Sequence, residues 1–230
     1  MTGEWLIIFV KAPTPGEVKT RLVPVLSAEQ AASLYRCLVS DTLRAARALR
    51  DVQVVVAYAA NRQFPDLTWL DEPPALFLQY GATLDERLEH AFRWAFQQHA
   101  RSVLVIGSDA PDLSTRWLRD AFRFLRQCDV VVGPTTDGGY HLIGLRQPHP
   151  ELFAQMPWST SKLFGQTLHR VAELRLAVRC LEPIADLDTP DDLRGSLRAA
   201  SLRRHTHITQ FLKTLTKSHA TGQVLRTASP

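Results

Sequence analysis

Cysteine is scarce in this chain. Cys37, Cys128 and Cys180 are odd in number and far apart, which excludes a disulfide frame and a spaced zinc site. They read as buried thiols in a reducing cytoplasm. Long apolar runs are also missing, so no segment reaches the length of a membrane span. The N-terminus lacks a basic stretch followed by a small-residue cleavage site, and enters a strand-like run, Trp5 to Val10, almost at once; a signal peptide is not expected. No Gly-x-Ser-x-Gly and no His-Glu-x-x-His occurs, which removes the common serine-hydrolase and zinc-protease readings. Acidic residues are absent from 198–230, where Arg198, Arg203, Arg204, Lys213, Lys217 and Arg226 lie. Those six account for the net charge of +4, since the rest of the chain has 21 of the 27 basic residues against 23 acidic ones, a balance of −2. The basicity therefore belongs to a C-terminal extension. It reads as solvated, and no nucleic-acid partner is expected.

What remains is ordinary for a chain that buries a full core: 230 residues, 45% hydrophobic and 22% charged, enough for one α/β domain. Candidate strands are 5–10, 52–59, 76–79, 103–106, 130–133, 141–145 and 177–181. They are short and rich in Val, Ile and Leu, the pattern of strands covered on both faces. Helix starts stand between them. Ser27-x-x-Gln30 and Thr83-x-x-Glu86 have the form of capping boxes. Ser114 suits an N-cap for a helix through Trp117, Ala121 and Leu125. Thr189-Pro190-x-Asp192 places a cap, a proline at the first helical position and an acid in the first turn. The alternation predicts a three-layer α/β fold with a mostly parallel sheet. The gap between 130–133 and 141–145 is too short for a helical crossover, so one of those strands is expected to be antiparallel and the sheet mixed. Within 203–217, Ile208, Phe211, Leu212 and Leu215 form one apolar stripe, and a docked helix is expected there before the chain end.

Three aspartate segments follow apolar runs: Gly107-Ser108-Asp109-Ala110-Pro111-Asp112, Asp137-Gly138-Gly139-Tyr140 and Asp186-Leu187-Asp188-Thr189-Pro190. Carboxylates gathered at the C-terminal ends of parallel strands suit Mg²⁺ or Mn²⁺ holding a phosphate-bearing substrate. An aspartyl-phosphatase reading of Asp186-x-Asp188 fails, because the pair lies late in the chain and opens a helix. The first connection, Lys11 to Leu22, is neither a Walker A loop nor a dinucleotide fingerprint. It does hold Lys11, Lys19 and Arg21 within reach of an anion, with Gly16 giving the backbone room. His141 reads as a structural residue at a strand edge.

These motifs occur in an ordered set. Phe9-Val10-Lys11-Ala12-Pro13, Gly16, Lys19-Thr20-Arg21-Leu22, Gly81 with Asp85-Glu86-Arg87-Leu88, Gly107-Ser108-Asp109-Ala110-Pro111, Asp137-Gly138-Gly139-Tyr140, Pro157-Trp158-Ser159-Thr160 and Asp188-Thr189-Pro190-Asp191-Asp192-Leu193 follow one another. Over residues 5–197 the chain resembles the bacterial GT-A-type glycosyltransferases known as arsenosugar-biosynthesis-like, many of which bear only a domain-of-unknown-function label. That resemblance implies a nucleotide-diphospho-sugar transferase domain over 1–197; the basic segment 198–230 lies outside it and is expected, from its charge and apolar stripe, to be an extension part helical and part disordered. The resemblance also implies Mg²⁺ or Mn²⁺ on Asp109 and Asp188, and nucleotide or phosphate contacts from Lys11, Pro13, Gly16, Lys19, Arg21, Gly81, Arg87 and Ser108. Asp137 would be the general base or would simply bind sugar hydroxyls; Gly138, Gly139, Tyr140, Trp158, Ser159 and Thr160 would bind substrate, with Trp158 equally readable as ordinary core. The expected substrates are a nucleotide-sugar, or an NTP, and a small-molecule acceptor. Glycosyl transfer is the expected reaction. Nucleotidyl transfer with loss of pyrophosphate is the alternative, weakened by prolines where guanylyltransferases of this fold have glycines. A nucleotide-binding module without turnover is a third reading.

Overall fold

A computed structural model describes the backbone of residues 3–59, 75–199 and 206–220. It divides into two units. One comprises Met1–Ala12 and Thr42–Asp186, the other Pro13–Asp41 and Leu187–Pro230.

The first unit is built on a seven-stranded sheet. Its strands are β1 (Glu4–Val10), β2 (Val52–Tyr58), β3 (Ala75–Leu78), β4 (Ser102–Ile106), β5 (Val130–Pro134), β6 (Tyr140–Leu145) and β7 (Val178–Cys180). Their order is β3-β2-β1-β4-β6-β5-β7. All pairs are parallel except those of β6, which is antiparallel to both β4 and β5. All seven predicted strands are present, and the antiparallel one follows the short gap that forbade a crossover. Every residue of β4 and β5 is buried, which is why Val-Leu-Val-Ile and Val-Val-Val carry no polar alternation. Helix α2 (Leu84–Gln97) buries Leu88, Ala91, Phe92 and Ala95 with Ile7, Val55, Val103 and Val105. Helix α3 (Thr115–Leu125) faces the side of the sheet that bears Leu104. There, a Cβ on Gly144 would meet Leu104 and Leu125. Helix α4 (Leu163–Glu173) completes this unit.

The predicted caps form. The Glu86 carboxylate accepts from the N–H of Ala82 and Thr83 at 2.6 and 3.3 Å. Ser114 accepts from the Trp117 N–H at 3.3 Å. Cys128 is buried and Cys37 partly so, but Cys180 is exposed, because the three-residue β7 closes one edge of the sheet.

The second unit holds the first turns of α1 (Ala28–Arg47), with α5 (Pro190–Ala199) and α6 (His207–Ala220). Its core joins Leu22, Leu34, Leu38, Leu187, Leu193, Ile208, Leu212 and Leu215. Ser27 and Gln30 exchange the capping-box bonds at the start of α1. Asp192 accepts from the N–H groups of Asp188 and Thr189 at the start of α5. The apolar stripe lies on α6, which begins at His207; residues 203–205 of the predicted span lie outside the described residues. Among the described residues no helix is long and apolar enough to cross a membrane.

Candidate active site at the carboxyl edge of the sheet

Strands β1, β2, β3, β4 and β5 run the same way, so their carboxyl ends share one edge. Antiparallel β6 starts there. The first unit therefore brings together the connections carrying Lys11, Gly81, Ser108, Asp109 and Asp137 to Tyr140. Ligands of open α/β sheets bind at such an edge.

The Asp109 loop is tied on both sides. The Ser108 hydroxyl, 1% exposed, donates to the Phe9 carbonyl at 3.2 Å. The Gly107 N–H donates to the His141 carbonyl at 2.9 Å. Ser108 thus braces the loop against β1, and Asp109 follows it half-buried. Across β6, Asp137 is exposed in the β5–β6 turn. Its Oδ1 accepts from the Thr135 hydroxyl and from the Gly139 N–H, the latter at 3.0 Å. Sequence reasoning passed over Thr135; the readable signal was Asp137 itself, since an Asp in a turn bonds the backbone two residues on, here the Gly139 N–H.

Gly138 adopts φ +90°, and a Cβ there would lie 2.3 Å from the Ser161 carbonyl oxygen. Its own carbonyl accepts from the Phe164 N–H at 2.9 Å. The turn is therefore seated on the start of α4, and the room beside Gly138 is filled by backbone. Tyr140 points into the core, edge-on to Trp158 with centroids 6.1 Å apart and planes at 71°. Burial pushes its phenol pKa upward, with the Thr167 hydroxyl opposing the shift. Trp158 packs against the same core. Ser159 and Thr160 are exposed, and Thr160 donates to the Pro157 carbonyl at 2.7 Å.

A β-bulge shapes this edge. Pro134 pairs with Tyr140 and Gly133 with Leu142, leaving His141 as an extra residue in β6. Bulges re-aim side chains. His141 lies 5.0 Å from the Trp117 ring in α3, only 7% exposed. A Cβ on Gly133 would come within 2.7 Å of its Cε1. Burial drives its pKa down to about 4, against an opposing bond to the Pro134 backbone. Its neutral ring belongs to the core, as expected for a structural histidine. At the far side of the edge, Gly81 takes φ +132° with its space filled by Glu86, and Arg87 Nε donates to the Gly81 carbonyl at 2.9 Å. An open hollow of about 570 Å³ lies alongside, lined by Tyr80, Gly81, Glu86, His90 and Arg93 among others.

The second unit carries the other candidates. Pro13 is buried and Gly16 takes φ +82°. Lys19 is buried in the left-handed region at φ +51°. Its Nζ lies 3.7 Å from Asp188 Oδ1, and Arg21 Nη1 lies 3.2 Å from Asp188 Oδ2. The carboxylates expected to hold metal, Asp109 and Asp188, belong one to each unit. Among the described residues no group of three or more His, Cys, Asp or Glu converges as a cage. Taken singly, each aspartate offers hard oxygen donors of the type that Mg²⁺ takes.

No protein of curated function matches the chain in sequence. A crystal structure from Desulfovibrio desulfuricans G20, assigned provisionally to the nucleotide-diphospho-sugar transferases, is 30% identical. The match covers 97% of this chain and 100% of that one, with a TM-score of 0.89. CMP:2-keto-3-deoxy-manno-octonic acid synthetase, complexed with CTP, shares 13% identity over 86% of this chain and 99% of its own, with a TM-score of 0.55. Rv0371C of Mycobacterium tuberculosis H37Rv, complexed with manganese, shares 16% over 85% and 99%, with a TM-score of 0.53. These last two likenesses are of fold. The profile of a family described as "Uncharacterized protein conserved in bacteria (DUF2064)" matches residues 42–160, the stretch that holds Asp109 and Asp137. The chain belongs to this DUF2064 family and has the fold of the nucleotide-diphospho-sugar transferases.

Proposed function

We propose that the protein is a metal-dependent glycosyltransferase that moves a sugar from a nucleoside-diphosphate sugar to a small-molecule acceptor. The observation that carries this reading is the placement of Asp109 and Asp137 on the two connections that flank β6 at the carboxyl edge. The full-length likeness to the D. desulfuricans protein supports it. Asp109 and Asp188 are each a proposed carboxylate for Mg²⁺ or Mn²⁺. Such an ion, when bound, supplies charge neutralisation on the leaving nucleoside diphosphate. Lys11, Lys19 and Arg21 offer charge-assisted bonds to phosphate. Asp137 takes the proton of the acceptor hydroxyl, held ready by Thr135 and Gly139. Tyr140 and Trp158 support the turn from within, and the exposed Ser159 and Thr160 face the acceptor.

A thermal-shift screen of nucleotides and nucleotide-sugars, with and without Mn²⁺, identifies the donor, since a ligand bound only by the folded state raises the melting temperature. Product analysis then separates the reactions. Free nucleoside diphosphate supports glycosyl transfer. Pyrophosphate would establish nucleotidyl transfer instead, and binding without either product would mark a non-catalytic module. Asp109→Asn and Asp188→Asn should each weaken metal-dependent nucleotide binding; unchanged calorimetric affinity in both would remove the metal assignment.

A further inference from the structure

A series of five aromatic rings runs from the core of the first unit to its surface beside β3. Trp5 meets Trp94 edge-on at 5.3 Å, Trp94 stacks on Phe77 at 4.3 Å, and Phe77 stacks on His90 at 5.3 Å. Tyr80 ends the series 5.3 Å from His90, tilted by 50°. Tyr80 is 71% exposed. The backbone beside it is set by Gly81, at φ +132° with Glu86 filling the space of a Cβ. An exposed ring supported in this way, on the wall of a hollow of about 570 Å³, is a platform for a ligand. Small-molecule sites range over about 300–1,000 Å³.

The polar lining is charged but already compensated. Glu86 accepts from the N–H groups of Ala82 and Thr83, both on Oε2, which leaves Oε1. Glu89 Oε1 accepts from Arg93 Nη1 at 2.8 Å, which leaves Glu89 Oε2 and the remaining N–H groups of Arg93. His90 lines the hollow too, and among the described residues its Nδ1 is buried without a partner. A buried acceptor is left bare more often than a buried N–H, so the proton belongs on Nε2. Burial first, and the Arg93 charge second, lower the pKa of this ring, which is neutral at neutral pH. An anion here would face two carboxylates. A cation would compete with Arg93 for Glu89 and with the helix-start N–H groups for Glu86. A neutral ring rich in hydroxyls meets neither obstacle. Its C–H bonds, slightly positive, suit the negative face of an aromatic ring, and its hydroxyls both donate and accept.

We propose that this hollow is a saccharide-binding site separate from the Asp137 turn: Tyr80 lies against the C–H face of a neutral sugar ring, and Glu86, Glu89, Arg93 and His90 bond its hydroxyls. β3 stands four strand spacings from β6 and five from β5, which at about 4.8 Å each puts the hollow about 20 Å from that turn. One sugar ring cannot serve both places. The ring held here is one that does not react, and the inference stands whether or not the reaction proposed above is correct.

Saturation-transfer NMR on the full chain tests this, in EDTA, with the methyl glycosides of glucose, galactose, mannose and N-acetylglucosamine as probes. At least one should receive saturation, strongest at the C–H protons of one ring face. Tyr80→Phe keeps the platform and should bind as wild type does. Tyr80→Ala removes it at an exposed position and should weaken binding about tenfold. Arg93→Met removes hydroxyl donors and should weaken binding as well. Melting temperatures equal to that of wild type show that the variants are folded. If no glycoside binds, or if Tyr80→Ala or Arg93→Met binds as well as wild type, the saccharide site is overturned. Gly81 is an expected nucleotide contact, so uridine, cytidine, adenosine and guanosine are run beside the glycosides. A nucleoside that binds through Tyr80 where no glycoside does would overturn the assignment in favour of a base-binding hollow. The metal-dependent donor screen reads a different ligand, so failure here and failure of the glycosyltransferase reading are told apart.

Discussion

Asp41 and His207 stand 166 positions apart, and the Asp41 carboxylate caps the helix that His207 begins. Asp41 Oδ1 accepts the His207 N–H at 3.0 Å and meets His207 Nδ1 at 2.9 Å, while Oδ2 accepts the Ile208 N–H at 3.0 Å. The Thr206 hydroxyl accepts from the Thr209 N–H at 3.0 Å. Three of the amides left open at a helix start are thereby satisfied, and a negative charge there also suits the helix dipole. The same carboxylate affects Cys37: burial first, and the Asp41 charge second, push that thiol up to about 11. Cys37 is therefore inert as a nucleophile at neutral pH.

Replacing Asp41 tests this latch. Asp41→Ala removes every acceptor and should cost about 2 kcal/mol, at the upper end for a lost cap. Asp41→Asn keeps one oxygen and should fall between wild type and Ala. Urea denaturation gives the order, and hydrogen exchange at His207 and Ile208 locates the loss. Equal stability of all three proteins would mean that the cap is idle.

What the sequence made legible was local. Strands buried on both faces announce themselves as Val- and Ile-rich runs, and Ser27, Thr83, Ser114 and Thr189 each act on residues three positions away. The antiparallel strand followed from a gap length. The unread features all depend on distant partners. Nothing in Asp41, midway along α1, points to His207. The apolar stripe on α6 was visible, but not that Leu22 and Leu187 share its core. Gly138 looked like room for a ligand, and Ser161 fills that room. The candidate carboxylates were visible because they follow strands directly, whereas the bulge that turns His141 inward depends on pairing with Gly133.

Gly138 distinguishes packing from substrate access. A Cβ would lie 2.3 Å from the Ser161 carbonyl oxygen, on a backbone at φ +90°. Both the clash and the conformation oppose a side chain, so Gly138→Ala should lose about 2–4 kcal/mol. Gly16 also has positive φ, but no atom lies within 4 Å of its Cβ position. Gly16→Ala should lose only about 1–2 kcal/mol, from backbone conformation alone. Denaturation of the two variants side by side checks the contrast. A larger loss at Gly16 would reverse the argument.

His141 gives the fold an acid limb. Its pKa falls from 6.5 to about 4 on folding, chiefly through burial. Between those values the unfolded chain binds a proton that the folded chain refuses. Stability is then full above about pH 6.5 and declines as pH falls toward 4, by at most about 3 kcal/mol from this group. His141→Leu removes the titration, whatever its effect on packing. Melting temperatures from pH 7 to 4.5 should fall less steeply in the variant, because the carboxylates titrate in both proteins. Parallel slopes would show that His141 contributes no such term.

Asp137 separates a turn residue from a base. Its Oδ1 accepts from Thr135 and Gly139, and an asparagine oxygen can accept both bonds in the same place. Asp137→Asn should therefore keep the melting temperature and nucleotide-sugar binding. An amide cannot take a proton from an acceptor hydroxyl, however, and general-base assistance is typically worth about 10²–10⁴-fold in rate. Turnover should drop by that factor. Thr135→Val serves as the control, since it keeps the carboxylate and removes one of its anchors. It should lower activity less than Asp137→Asn, while also lowering stability. Single-turnover kinetics with the identified acceptor would decide. An Asp137→Asn protein within a few-fold of wild type would leave Asp137 as a turn residue and move the search for the base to another side chain on this edge.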